Sequence, residues 1–204
     1  MAPRLKHRRD LGRPATWDDL SALPEDVIGE IIAGELVVSP RPNSPHAHAA
    51  SDLGVLLGGP FRFGVGGPGG WVFLDEPSIR FGRDIRVPDL AAWRRERWPG
   101  APRSGPINIA PDWICEVLSR STEKEDRIIK PALYARERVG YLWLLSPEVH
   151  TLQVMRLEKE GWLLRGFADS ERVRAEPFDA IELDLSHLWA PLLDEEEEES
   201  GDGE

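Results

Sequence analysis

The sequence predicts an α/β domain of the α+β kind, a mixed β-sheet flanked by helices and finished by a C-terminal antiparallel meander. Three stretches predict it. Residues 111–146 read as a buried strand ending on a carboxylate, a Ser/Thr turn, a charged helix and a second buried strand. RVPDLAAW reads as another strand, behind a proline. From Tyr141 onward, YLWLL, HTLQVMRL and GWLLRGF alternate with the turns SPE and EKEG, which is a meander. With 204 residues, 41% of them hydrophobic, the chain can bury one sizeable core. We expect a single domain over 15–193, between a basic arm at 1–14 and an acidic tail at 194–204, both disordered.

In order, residues 16–25 (TWDDLSALPE) predict a short helix with Thr16 as N-cap, Asp19 three residues on, and Pro24 as its end. VIGEIIAGELVVS is two short apolar runs around Gly34, a hairpin or a bulged strand carrying Glu30 and Glu35. A Pro/Asn/Ser loop follows. From Ser44 or Pro45 the spacing of Ala49, Leu53, Leu56 and Leu57 is helical, with Gly58 and Gly59 as its stop. His46 and His48 sit in its first turn, but two residues apart they point to different sides and make no zinc pair. GVGGPGG lacks the GxxxxGK[ST] order of a phosphate loop and reads as a hairpin connection. WVFLDEPSIRF gives two strands, and alternation in the next one puts Val87, Asp89, Ala91 and Trp93 on one face.

RRERWPGAPRSGPINIA is a long loop holding Arg94, Arg95, Arg97, Arg103 and Trp98, residues suited to DNA backbone contact and stacking if they lie near a catalytic centre. Thr122-x-x-Glu125 is a capping box, and Pro131 in the third turn predicts a kink or a helix that starts late, near Asp126. Asp126 and Lys130, four apart, suit a surface ion pair. IELDLSHLW closes the domain, and Trp143, Trp162 and Trp189 read as core.

One residue resists this apolar reading. DWICEVL is apolar on both faces except for Glu116, and a carboxylate there is costly unless paired, protonated or bound to a cation. Asp89 is the comparable acid in the neighbouring strand-like run. Together they could hold a hard cation such as Mg²⁺, or Mn²⁺ in its place.

EIIAGELVVSP, the helix with His46, VPDLAAW, CEVLSRST, DRIIK with Tyr134, and YLWLLSP occur in an order that resembles the Uma2 family (DUF820) across about residues 15–157. That family belongs to the PD-(D/E)XK nuclease superfamily. The resemblance implies a restriction-endonuclease-like core and a metal-dependent endonuclease acting on DNA, with Asp89 and Glu116 as metal ligands and the Leu118 backbone carbonyl as a further one. It also implies Glu30 and His46 as active-site candidates. The superfamily's lysine, two residues after the second acid, is here Leu118. The resemblance therefore points to Lys130, with Lys124 behind it, as the replacement. The second reading is a nuclease-like fold that binds nucleic acid or protein without cutting; a third is an oligomer-forming scaffold whose association the acidic tail governs.

Net charge is −11, but residues 194–204 hold eight acids, and without them −3 remains. That tail is a solvated run or a competitor for a basic groove; in the arm, Arg4, Lys6, Arg8, Arg9 and Arg13 stand against Asp10. One cysteine, Cys115, permits no internal disulfide and suits the cytoplasm. No run of 18 apolar residues suggests a membrane span. A homodimer would match a two-fold DNA target.

Overall fold

A computed structural model describes residues 7–119 and 124–189. The first strand, β1 (His7–Arg9), lies in the arm expected to be disordered; it pairs antiparallel with a later strand, and Arg8 bonds Glu35. Residues 1–6, with Arg4 and Lys6, and the acidic tail lie outside the described residues. Helix α1 (Trp17–Ser21) starts at Thr16, whose N–H and hydroxyl both donate to the Asp19 carboxylate at 2.7 and 2.8 Å. Arg13 grips the same carboxylate from outside.

Strands β2 (Val27–Ile32) and β3 (Glu35–Pro40) form the hairpin that Gly34 predicted. Its two loop residues, Ala33 and Gly34, have φ of 54° and 84°, the mirror-image turn whose twist matches paired strands. Helix α2 (Ser44–Leu57) starts where expected, with the Asn43 side chain accepting from the His46 amide. Its apolar stripe buries Ala49, Leu53 and Leu57. Gly58 and Gly59 do not end it; a π-helical turn continues through Gly58–Arg62. Phe61 lies inside that turn, fully buried 4.8 Å from Phe178, and its burial outweighs the glycine penalty of about 1 kcal/mol per residue.

The glycine-rich loop leads to β4 (Trp71–Asp75); β5 (Ile79–Phe81), β6 (Asp84–Arg86) and β7 (Leu90–Arg94) follow. Strand β8 (Trp113–Val117) is buried throughout. The next helical segment opens with a π-helical turn, Glu125–Ile129, and becomes α3 (Lys130–Arg136). That wide turn is how the chain accommodates Pro131. The Lys130 amide bonds Glu125 five residues back, so the proline ring is spared the clash with the Arg127 carbonyl that an α-turn imposes. Thr122 of the expected capping box lies outside the described residues. The meander is β9 (Tyr141–Ser146), β10 (Thr151–Leu157) and β11 (Trp162–Ala168). A short pair, β12 (Arg172–Val173) and β13 (Leu183–Asp184), leads to a 3-10 turn at Leu185–Leu188.

The strands divide between two larger sheets. One has the order β1-β3-β2-β6-β5, the other β11-β10-β9-β8-β7-β4. In the second, β8 and β9 are parallel, joined across α3, and the remaining pairs are antiparallel, so the sheet is mixed as expected. Alternation along β8 sorts its side chains. Trp113, Cys115 and Val117 enter a core shared with α2 and Phe178; Ile114 and Leu118 enter a second core with Leu133, Tyr134 and Phe81. Trp143 is fully buried, whereas Trp162 and Trp189 are half-buried and spend their indole N–H groups on the carbonyls of Pro131 and Asp169. Among the described residues no helix is long and apolar enough to cross a membrane.

Candidate active site

Glu116 occupies an even position of β8 and therefore points into the second core. It is 1% exposed. The β7–β8 register matches Leu90 to Cys115 and Ala91 to Ile114; one step further it sets Asp89 against Glu116. The two acids thus meet at one end of adjacent central strands.

Each is held by specific donors. Lys130 Nζ lies 2.6 Å from Glu116 Oε2 and 2.8 Å from Asp126 Oδ1, and the Tyr134 hydroxyl donates to Glu116 Oε1. Asp89 Oδ2 accepts from the Val117 amide at 2.7 Å, and His46 Nε2 lies 3.3 Å from Asp89 Oδ1. Asp126 and Lys130 form the ion pair that their spacing predicted, but it is buried. Lys124 is exposed at the start of the segment.

Glu30 is not an edge-strand acid facing water. Strand β2 is flanked by β3 and β6, and Glu30 is buried. Its carboxylate accepts from the Val87 amide and lies 3.8 Å from the guanidinium of Arg86, which is 2% exposed and also bonds Glu125 at 2.8 Å. The Leu118 amide donates to Leu145 on β9 at 2.7 Å, whereas the Val117 amide faces Asp89.

The arginine loop is not beside the acids. β7 runs from the Asp89 end to Arg94, about 15 Å of extended chain. At that far end Arg94 lies over the Trp71 ring, Arg95 bonds backbone carbonyls of Arg62 and Trp71, and Arg97 pairs with Asp112. Arg103 is exposed, and Trp98 packs on Trp93.

Burial is the largest influence on the Glu116 carboxyl. Lys130 pulls its pKa down, while Asp89 and Asp126 push it up, leaving it at about 8. Yet both its oxygens accept from donors, which suits the ionised form. Burial lowers the Lys130 pKa, but Glu116 and Asp126 outweigh it and hold the ammonium charged. Burial likewise depresses His46, and the bond and charge of Asp89 more than restore it. Burial followed by the Glu116 charge pushes the Tyr134 hydroxyl well up.

Glu30 and Glu125 thus face Arg86, Glu116 and Asp126 face Lys130, and Asp89 faces His46. Among the described residues no three His, Cys, Asp or Glu side chains are arranged to hold a metal ion. Mg²⁺ needs only one or two carboxylates and takes water for the rest. Asp89 and Glu116 meet that requirement.

Tyr134 was part of the sequence pattern without a role. Asp126, Lys130 and Tyr134 stand at i, i+4 and i+8, a spacing that sets all three on one helix face and was available as a signal.

A mixed sheet beside an antiparallel one, with few helices, defines an α+β domain with a lysine-paired acid on a central strand. The chain matches the model of the Uma2 family, described as "putative restriction endonuclease", over residues 17–186, and it belongs to that family. It is similar to the crystal structure of "a putative nuclease belonging to DUF820" from Anabaena variabilis. That similarity has a TM-score of 0.68 at 22% identity, covering 86% of this chain and 98% of that one. No curated protein matches the chain.

Proposed function

We propose that this protein is a Mg²⁺- or Mn²⁺-dependent endonuclease hydrolysing DNA phosphodiester bonds, with Asp89 and Glu116 as the cation's carboxylate ligands. The observation that carries the reading is the meeting of these two acids across β7 and β8 with Lys130 Nζ 2.6 Å from Glu116. A divalent cation between them would neutralise charge on the phosphate and acidify a water. The chain's own groups prepare the place. The Val117 amide and His46 fix the two oxygens of Asp89. Tyr134 and Lys130 fix those of Glu116. Lys130 supplies a buried positive charge where charge would build on the phosphate, the role of the lysine that position 118 lacks. Arg86 and Glu30 support that arrangement from the adjoining sheet.

Plasmid DNA incubated with the purified protein and Mg²⁺ should be cut, EDTA should stop the cutting, and Asp89→Ala and Glu116→Ala should each abolish it. Variants as active as the parent would refute the assignment.

One observation favours a non-cutting nuclease-like module: Glu116 is 1% exposed and both its oxygens are already bonded. Calorimetric titration with Mn²⁺ separates the two readings. The nuclease reading requires a saturable site that disappears in Glu116→Gln; a module whose Glu116 is purely structural shows no such site.

A further inference from the structure

We propose that the cleft beside Asp89 binds unpaired nucleotides, so that the substrate is single-stranded or locally melted DNA. This inference rests on the nuclease reading above and names its substrate.

The cleft encloses about 840 Å³. That lies within the ~300–1,000 Å³ of pockets that take small molecules, too small for a duplex and suited to bases lifted out of one. It is lined by the face of α2 that begins at His46, by Phe73 and Leu90, and by Arg62 and Phe63.

Phe63 has no folding reason to be where it is. It is 72% exposed, beside the equally exposed Val55 and Val65. Its position is nevertheless fixed, because the backbone folds back on itself through Phe63 N–H to Gly58 O at 3.2 Å, Val65 N–H to Gly59 O at 2.9 Å and Gly69 N–H to Pro60 O at 2.8 Å. The Arg62 guanidinium lies 5.4 Å from the Phe63 ring centroid. A held aromatic ring with an arginine beside it is a stacking surface for a base, and every base has a face to stack.

Asp89, Asp75, Glu76 and His46 line the cleft together with Arg41, which pairs with Glu76, and with Arg62, whose guanidinium bonds the Phe73 carbonyl at 3.3 Å. Arg95 bonds the Arg62 carbonyl at 3.0 Å, and Arg94 lies over Trp71 next to it, so three arginines gather at the Phe63 end. Phe73, which the Arg62 guanidinium bonds, stands two residue steps or about 7 Å along β4 from Asp75. A stacked strand rises about 3.4 Å per nucleotide, so on the order of two nucleotides separate a base on Phe63 from a phosphate at Asp89.

The test is fluorescence anisotropy in EDTA with a labelled single strand of about 16 nucleotides and with the duplex of the same sequence. Wild-type protein should bind the single strand more tightly. Phe63→Ala should weaken that binding about 5- to 150-fold, Phe63→Trp should retain it, and duplex binding should not change. Phe63 is exposed, so neither substitution endangers folding. Equal binding of single strand by wild type and Phe63→Ala, or no binding by wild type, overturns the proposal. Failure of the nuclease reading looks different. Phe63-dependent strand binding without cleavage under any metal keeps the subsite and rejects the nuclease; cleavage with Phe63-indifferent binding does the reverse.

Discussion

Glu116→Gln should remove the pH dependence of stability that the buried carboxyl imposes. In the folded protein burial, Asp89 and Asp126 raise the Glu116 pKa from 4.5 to about 8. Below 4.5 the carboxyl is protonated in folded and unfolded chains alike and has no effect on the balance. Between 4.5 and 8 the unfolded chain gives up the proton and the folded chain keeps it, so stability falls as pH rises. At about 1.36 kcal/mol per pH unit the fall amounts to at most roughly 5 kcal/mol across the window. Glutamine has no proton to lose. Urea unfolding in EDTA, followed by the fluorescence of the buried Trp113 and Trp143, measures both proteins at intervals across that range. The variant should gain several kcal/mol on wild type as pH rises from the lower to the upper limit. Parallel profiles would refute the reasoning and show that Lys130 and Tyr134 keep Glu116 ionised throughout.

Tyr134→Phe keeps the ring and leaves Glu116 Oε1 without its donor; unfolding in urea should show a loss of about 1–3 kcal/mol. Arg86→Met removes the guanidinium that Glu30 and Glu125 share and should cost about 3–5 kcal/mol, lowering Tm by roughly 6–20 °C; a calorimetric drop under about 3 °C would refute this. Ala33→Asn replaces an alanine held at φ 54° with a residue that tolerates that conformation, and should raise Tm by about 2–4 °C.

The pair of acids was legible because alternation in WICEVL leaves one carboxylate in an otherwise apolar strand, and VPDLAAW supplies its counterpart with matching parity. Lys130 was picked out by the resemblance of DRIIK; its spacing from Asp126 gave the ion pair but not its burial. The burial of Glu30 was not, since it depends on β2 pairing with β6, more than fifty residues away, and on Arg86, which no local pattern connects to it. The hairpin, the start of α2 and the meander rest on neighbouring residues and could be read. The division into two sheets rests on distant pairings and could not. The place of the arginine loop was not legible either, because a strand of five residues carries the chain from Asp89 to the far end of the sheet.

Phe178 meets the rings of Phe61, Trp71, Phe73, Trp113 and Trp143 at centroid separations of 4.8 to 5.6 Å. A chain still emerging from the ribosome cannot seat that keystone until nearly all of the domain has been made. Until then five aromatic side chains wait without their common neighbour. Nascent or truncated forms ending before residue 178 should therefore lean on chaperones and aggregate readily, even though both acids and the lysine have already been synthesised.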